Sequence, residues 1–138
     1  MAKVSGLGDY LAVDDSSGSA RDISNDVTSA TFDNGQDLQV VTGIDKSGQE
    51  RLILIGDGNV TLNGVFNAAS NLSHDVFKVL SGTRTVTYCV GGNSSSNPKL
   101  EMEMLVGSYN LDRASDGSLT WTATLALQSG TVPTWSTV

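Results

Sequence analysis

The sequence contains one cysteine and one histidine, too few of either for a catalytic or metal centre. Cys89 has no partner for an internal disulfide, so we expect folding in a reducing cytoplasm and a buried structural role for the thiol. One thiol and one imidazole cannot complete a zinc site, and no metal or cofactor is expected. His74 lies between Ser73 and Asp75, but neighbouring residues on a helix diverge, whereas triad members must converge. The sequence therefore predicts a surface histidine and a protein that is not an enzyme.

Basic residues are scarce too, with eight Lys and Arg against 15 Asp and Glu and a formal net charge of -7 at pH 7. Nowhere do they form the cluster that replaces condensed counterions when a protein grips duplex DNA, so ordinary DNA binding is not expected. No stretch holds the ~18 consecutive apolar residues of a membrane helix, and residues 1–6 lack the apolar run of a signal peptide. We therefore expect no membrane partner.

Apolar residues alternate with polar ones along most of the chain, and this period of two predicts a mainly β protein. At residues 119–127 five apolar side chains, including Trp121, interleave mostly with threonines, which favour strands. At residues 100–106 four apolar side chains alternate with polar positions that include Glu101 and Glu103. Further strands are predicted at 22–32, 60–66 and 84–90, with Gly64 as a possible bulge.

A hairpin is predicted at residues 38–56. Residues 38–44 and 51–55 are its apolar arms, long enough to project beyond the domain body. A polar tip with a glycine joins the arms: Asp45, Lys46, Ser47, Gly48, Gln49 and Glu50. Neither this tip nor residues 57–59 have the ligand spacing of a calcium loop, so both are interpreted as turns.

One short amphipathic helix is predicted at about residues 71–81, on the flank of the sheet. Leu72, Val76, Phe77 and Leu80 recur there at helical spacing. Residues 70–73 offer N-cap side chains, and Gly82 is placed to end the helix.

The C-terminal stretch, residues 129–138, is predicted to be extended, and Trp135 within it is too large to leave in water without a partner. The length of 138 residues fits one domain, 1–138, with extended N-terminal and C-terminal arms. The fold class expected is therefore a β-sandwich or barrel-like domain with one flanking helix.

Glu101 and Glu103 are the strongest candidates for an acid–base pair. Residues two apart on a strand are about 6.6–6.8 Å apart, a separation that a hydrolase tolerates. No aromatic platform or polar cluster accompanies them in the sequence, so a solvated strand face is the preferred interpretation.

Several stretches together resemble the tail tube proteins of long-tailed, non-contractile bacteriophages. Residues 22–30 resemble the opening strand of that family, and residues 41–43, 46–48 and 56–58 are similar to its hairpin. The strand-to-helix segment matches residues 62–67 and 73–77, and the final strand and terminal tail match residues 117–121 and 130–135.

The resemblance implies a structural virion protein of the phage tail, synthesised in the host cytoplasm. Six copies would close into a ring, and the rings would stack into a tube through which the genome is delivered. The lumen would hold the tape-measure protein and pass double-stranded DNA without specific binding, and tail terminator and distal tail proteins would also be partners. Residues 45–50 and the arm residues Val132, Pro133 and Trp135 would contact neighbouring subunits, while Glu101 and Glu103 are hypothesised to line the lumen.

Three alternatives stay open. A carbohydrate- or host-binding β-sandwich module would stack sugars on exposed rings, for which the sequence offers Tyr10, Tyr88, Tyr109, Trp121 and Trp135. Another virion component, such as a tail terminator or decoration protein, fits the composition equally well. A small hydrolase using Glu101 and Glu103 would lose activity on Glu101→Gln.

Overall fold

Eight strands and one short helix make up residues 3–138, the part of the chain that the computed structural model describes. The first two residues of the predicted domain 1–138, Met1 and Ala2, lie outside the described residues. The elements are β1 (Tyr10–Asp14), β2 (Ala20–Asp22), β3 (Val27–Val40), β4 (Arg51–Val65), α1 (Ser73–Phe77), β5 (Thr83–Cys89), β6 (Pro98–Arg113), β7 (Leu119–Leu127) and β8 (Trp135–Thr137).

The strands form one antiparallel sheet in the order β2-β1-β5-β6-β7-β4-β3. β8 pairs with the start of β6 on the same edge that β7 occupies further along. The sheet curls enough to bring β3 near β5, where the rings of Phe32 and Tyr88 stack with centroids 4.4 Å apart. The predicted mainly β class with one short helix is confirmed.

The core lies on one face of this sheet and follows from the period-two pattern. Trp121 is 1% exposed, and its indole N–H donates to the Val65 carbonyl at 3.1 Å, so the ring is buried without an unpaired donor. The alternation predicted for residues 100–106 is confirmed, because Glu101 and Glu103 are exposed while the four predicted apolar positions are buried: Leu100, Met102, Met104 and Val106. The buried cluster is Leu11, Val13, Ile23, Val60, Leu62, Val76, Phe77, Val86, Leu100, Met102, Met104, Val106, Trp121, Ala123 and Leu125.

The hairpin is longer than predicted, and the four expected strand segments around it merge into two. β3 and β4 pair from Val27 opposite Gly64 to Val40 opposite Arg51. Between the predicted strands, residues 33–37 of β3 are exposed on both faces, and the covered positions of β4 are Gly56 and Gly58, which have no side chain. The apolar alternation therefore disappears there although the backbone ladder continues.

Gly64 is not itself the bulge that the sequence suggests. The register shift lies on the facing strand, between Val27 and Ser29. A Cβ on Gly64 would overlap the Asp26 carbonyl oxygen and lie 2.8 Å from the Trp121 ring. The glycine is therefore explained by the close approach of the Asp26 backbone and of the indole.

The helix begins later than predicted because its N-terminus is fixed from another part of the chain. Leu72 occupies the N-cap position and makes no side-chain cap hydrogen bond, so the predicted caps at 70–73 are wrong. Instead the buried carboxylate of Asp26 accepts the Ser73 backbone N–H at 3.0 Å and the Asn67 side-chain amide at 2.9 Å. Asp26 thereby satisfies an otherwise orphaned amide at the helix start.

The helix also ends early, at Phe77 and not at residue 81, with Lys78 as its C-cap. Beyond it the carbonyl oxygens of Val79 and Ser81 accept hydrogen bonds from the buried guanidinium of Arg84. Leu80, predicted to face the sheet, is 46% exposed. None of the helices among residues 3–138 is long and apolar enough to cross a membrane.

Candidate functional site

The most prominent surface feature is the distal hairpin, which we define as residues 38–55. Large apolar side chains cover both of its faces, because successive residues of β4 point alternately to opposite sides. Ile53 is 69% exposed and Ile55 is 83% exposed, whereas a subunit on its own gains no core packing from either. The exposed apolar residues of the distal hairpin are Leu38, Val40, Val41, Ile44, Leu52, Ile53, Leu54 and Ile55.

The hairpin tip, Asp45, Lys46, Ser47, Gly48, Gln49 and Glu50, is a solvated loop. The Glu50 N–H donates to the Thr42 hydroxyl at 2.8 Å, and Val41 N–H donates to the Glu50 carbonyl at 2.9 Å, which closes the loop. The ion pair of Lys46 and Asp45, at 3.5 Å, is exposed and contributes little stability. The apolar arms beside the tip are therefore the larger candidate contact surface.

The outer face is the second candidate surface, defined as the side of β3 to β7 opposite the core. Neutral polar side chains on it hydrogen-bond to one another across the strands. Thr122 donates to the Asn63 side chain at 2.8 Å, Asn63 donates to Ser29 at 3.2 Å, and Ser108 and Thr124 lie 2.7 Å apart. These groups satisfy each other and leave fewer free donors for a ligand.

Charge on the outer face is mostly negative. Glu101 and Glu103 are exposed there, and Glu103 accepts a hydrogen bond from the Thr85 hydroxyl at 2.6 Å. Lys99 lies at the margin of this face, 3.9 Å from the Glu101 carboxylate. The acids that share the face are Asp33, Asp57, Glu101, Glu103 and Asp112. Such a face repels phosphate at short range.

The C-terminal arm folds back onto its own sheet. Trp135 begins β8, lies opposite Leu100 of β6, and keeps 53% of its surface exposed. Val132 and Pro133 lie against Gly56 and Gly58, at the point where the hairpin leaves the body. Contact of these residues with a neighbouring subunit stays a prediction, but the structure adds a contact within the subunit that the sequence did not suggest.

His74 and Cys89 are packed against other side chains, which indicates structural roles. The predicted surface position of His74 is wrong, because the ring is half-buried, lies 4.9 Å from the Phe66 ring centroid and places Nδ1 3.2 Å from the Tyr109 hydroxyl. Cys89 is fully buried, and burial raises the pKa of its thiol, which keeps it protonated and unreactive. Within residues 3–138 no group of three or more His, Cys, Asp or Glu is arranged to hold a metal ion.

The rings considered for a sugar-binding module do not form a platform. Trp121 is buried, and Tyr88 and Tyr109 pack against the core cluster. Burial and a hydrogen bond to Asp9 raise the pKa of Tyr88 to about 12. Trp135 alone of the two tryptophans presents a substantially exposed ring, so the described surface offers little for carbohydrate stacking.

Comparison with solved structures identifies the fold. No protein-family model matches the sequence, and no curated protein matches it either. A structure of the tail of an empty gene transfer agent (GTA) particle with C6 symmetry is similar over 99% of both chains, with a TM-score of 0.74 and 12% identity.

Two further structures agree. The sheath-tube complex of an extracellular contractile injection system, PVC, matches 99% of this chain and 93% of its own, with a TM-score of 0.69 and 12% identity. The SPP1 tail tube matches 99% of this chain and 80% of its own, with a TM-score of 0.70 and 9% identity. The chain therefore has the tail-tube fold that the sequence resemblance implied.

Proposed function

We propose that this chain is a structural virion protein of a bacteriophage tail, with no enzymatic role. Copies of it close into hexameric rings that stack into the tail tube, the conduit for genome delivery. The observation that carries the proposal is the full-length match of its fold to chains of tails and tubes, one of them with C6 symmetry. At the two ends of the tube the partners are the tail terminator and the distal tail proteins.

The distal hairpin supports this assembly on physical grounds. Soluble monomers rarely expose contiguous apolar patches larger than a few hundred Å², and larger ones mark interaction sites. Both faces of the hairpin are apolar and exposed, so a second copy that covers them would remove that surface from water. A head-to-tail contact of this kind closes a ring or continues as a helix.

The assembly of the purified protein is a direct test of the proposal. We expect rings of six copies at low concentration and tubes with a central channel at high concentration, measured by solution mass and negative-stain microscopy. A strictly monomeric species at every concentration, together with tails from the same phage that lack this chain, would contradict the proposed function.

The outer face is proposed to form the wall of the lumen, where the tape-measure protein lies and double-stranded DNA passes. Six copies carry 6 × (-7) = -42 formal charges per ring. Carboxylates such as Glu101 and Glu103 repel the phosphates within a Debye length of about 8 Å, so DNA slides past without binding. The hydroxyl and amide groups of the same face add little attraction for DNA, because they are hydrogen-bonded to one another.

Replacing Glu101 and Glu103 with Lys is expected to slow DNA delivery while tubes still form. Both side chains are solvated, so the double change should alter the free energy of unfolding by less than about 1 kcal/mol. Each new cation attracts phosphate in the lumen. The measurement is infection efficiency beside virion morphology, and Glu101→Gln with Glu103→Gln is the control that removes charge without reversing it. Full infectivity of the Lys variant with normal tails would place both residues outside the lumen.

Replacing Trp135 with Ser is expected to weaken assembly much more than it weakens the subunit. The indole is half-exposed in one subunit, and truncating a tryptophan that is a hot spot of an interface costs ~2 kcal/mol or more of binding free energy. The protein concentration needed for polymerisation should rise about 30-fold. Sedimentation across a concentration series measures it, with Val138→Ser as a matched control in the same arm. An unchanged polymerisation threshold would exclude Trp135 from the subunit contact.

A further inference from the structure

The C-terminal strap, residues 129–134, crosses the root of the projecting hairpin. The side chain of Val132 occupies the space that a Cβ on Gly56 would take. Two residues further along β4, a Cβ on Gly58 would lie 3.3 Å from Cγ of Pro133 and 3.2 Å from Oδ1 of Asn34. The two glycines therefore let the strap lie directly on the backbone of β4.

Two features of the hairpin root, a bulge and a pair of glycines, favour bending there. The register of β3 and β4 shifts between Gln36 and Leu38, so two residues of β4 oppose one of β3 at the place where the hairpin leaves the body. Such a bulge bends the strand and interrupts the ladder. Gly56 and Gly35 belong to the last two residue pairs on the body side of this bulge, and glycines add conformational freedom to the backbone. The direction of the distal hairpin is therefore weakly fixed by its own strands.

Both ends of the strap are held by the sheet. The Gln128 N–H donates to the Glu103 carbonyl at 3.1 Å before the strap begins. After it, Trp135 lies opposite Leu100 in β8, and the Val138 N–H donates to the Asn97 carbonyl at 2.9 Å. The strap therefore runs between two segments that are hydrogen-bonded to the rest of the sheet, the end of β7 and β8.

We propose that the strap couples the hairpin to the C-terminal strand within one subunit. Val132 and Pro133 support the hairpin root from one side and fix its direction, and a hairpin that swings toward them lifts the strap and loosens β8. Coupling of this kind is reciprocal, so detachment of β8 also frees the hairpin. The consequence for assembly rests on the proposed function: docking of the hairpin and docking of Trp135 on neighbouring copies would favour one another.

A pair of glycine substitutions separates this coupling from a general effect of side chains in the hairpin. Gly56→Ala places a methyl group into Val132, whereas Gly35→Ala, across the same root, meets nothing within 4 Å. Adding Val132→Ala to Gly56→Ala removes the γ-carbon that collides and leaves the β-carbon at 3.5 Å, an ordinary contact. The new methyl group also lies 3.1 Å from the Gly35 carbonyl oxygen, a tight contact within the hairpin root that stays in both Gly56 variants and does not involve the strap. Val132→Gly removes the Val132 side chain from the support and leaves Pro133 against Gly58.

Amide hydrogen exchange on the full-length, unassembled subunit gives the readout, with Val138 reporting on β8, to which the strap leads, and Val41 on the hairpin. We expect Gly56→Ala to speed exchange at Val138 roughly 10-fold, the usual scale of a steric overlap, and Gly35→Ala to change it less than about 2-fold. Val132→Ala should restore most of the loss, and Val132→Gly alone should speed exchange at Val41. Because the subunit is measured before it polymerises, the coupling can stand or fall independently of whether tubes form.

Three outcomes would overturn the coupling. Gly56→Ala and Gly35→Ala could affect Val138 equally, or Val132→Ala could fail to restore protection in Gly56→Ala. Val132→Gly could also leave exchange at Val41 unchanged. A Gly56→Ala variant that does not fold at all still leaves the last of these measurements decisive.

Discussion

Replacing Ile53 and Ile55 with Asp is expected to abolish tube formation and leave the subunit folded. Both side chains are more than two-thirds exposed in the subunit, so neither change removes core packing. In an assembled tube the same side chains would be buried, and each contributes about 1.5–3 kcal/mol when fully removed from water. A carboxylate buried there without a partner adds a penalty of several kcal/mol at every copy of the contact.

Thermal unfolding of the unassembled subunit and microscopy of the concentrated protein measure the two halves of this prediction. The midpoint of unfolding should move little, and tubes should disappear. Ile53→Leu with Ile55→Leu is the matched control, because it keeps the apolar area and should keep the tubes. Normal tubes from the Asp variant would show that the distal hairpin is not a contact surface and would remove the main physical support for the proposed assembly.

A strand is predicted well from the sequence when one of its faces is buried and the other is exposed to solvent. β6 and β7 are predicted well, because Glu101 and the threonines around Trp121 alternate with buried side chains. β3 and β4 are not, because their distal halves are exposed on both sides, and the pattern there reports no burial at all. The apolar arms were visible in the sequence, but their projection beyond the core became clear only from the ladder between the strands.

The helix shows why local spacing is insufficient. Leu80 continues the helical period, yet the chain leaves the helix at Phe77 because Arg84, from the following strand, binds the carbonyl groups beyond it. At the other end, Asp26 supplies the cap from 47 residues away. Asp26 is distant in sequence and Arg84 lies in the strand after the helix, so no window of the helix itself contains the signal.

The candidate surfaces were predictable only in part, because some of their contacts join residues that are distant in sequence. Glu101 and Glu103 were identified as solvated from their alternation, but the hydrogen bonds that join Thr122, Asn63 and Ser29 depend on the register of three strands. The strap contact between Val132 and Gly56 likewise joins segments that no local pattern relates.

Arg84 is expected to be among the most important single side chains for the stability of the subunit. It is fully buried, and its guanidinium donates to the carbonyl oxygens of Asp14 at 3.1 Å, of Val76, of Val79 and of Ser81 at 3.1 Å. Burial lowers the pKa of Arg84, and the nearby Asp15 and Asp14 partly oppose that effect. The group stays charged, because an arginine is effectively always protonated in proteins, and it ties the turn after α1 to β1 and β5.

Arg84→Met keeps much of the apolar stem and removes every donor. Hydrogen bonds to a charged group contribute about 1.5–3 kcal/mol each, and an unpaired buried carbonyl costs about 1–3 kcal/mol. Relief of the desolvated charge and access of water to the Val79 carbonyl, which is only partly buried, offset some of this loss. We therefore expect a loss of about 3–5 kcal/mol in the free energy of unfolding, a large part of the 5–15 kcal/mol typical of a domain.

Urea denaturation of the unassembled subunit measures the Arg84 effect against a matched control. Arg21→Met removes an arginine whose Nε lies 3.0 Å from the Asp15 carboxylate in a partly exposed ion pair. Such a pair contributes about 1 kcal/mol or less, so its loss should be several-fold smaller. Arg84→Lys, which keeps the charge with fewer donors in a different geometry, should fall between the two. Equal losses for Arg84→Met and Arg21→Met would mean that the carbonyl groups around Arg84 find other partners, and that the early end of the helix has a different cause.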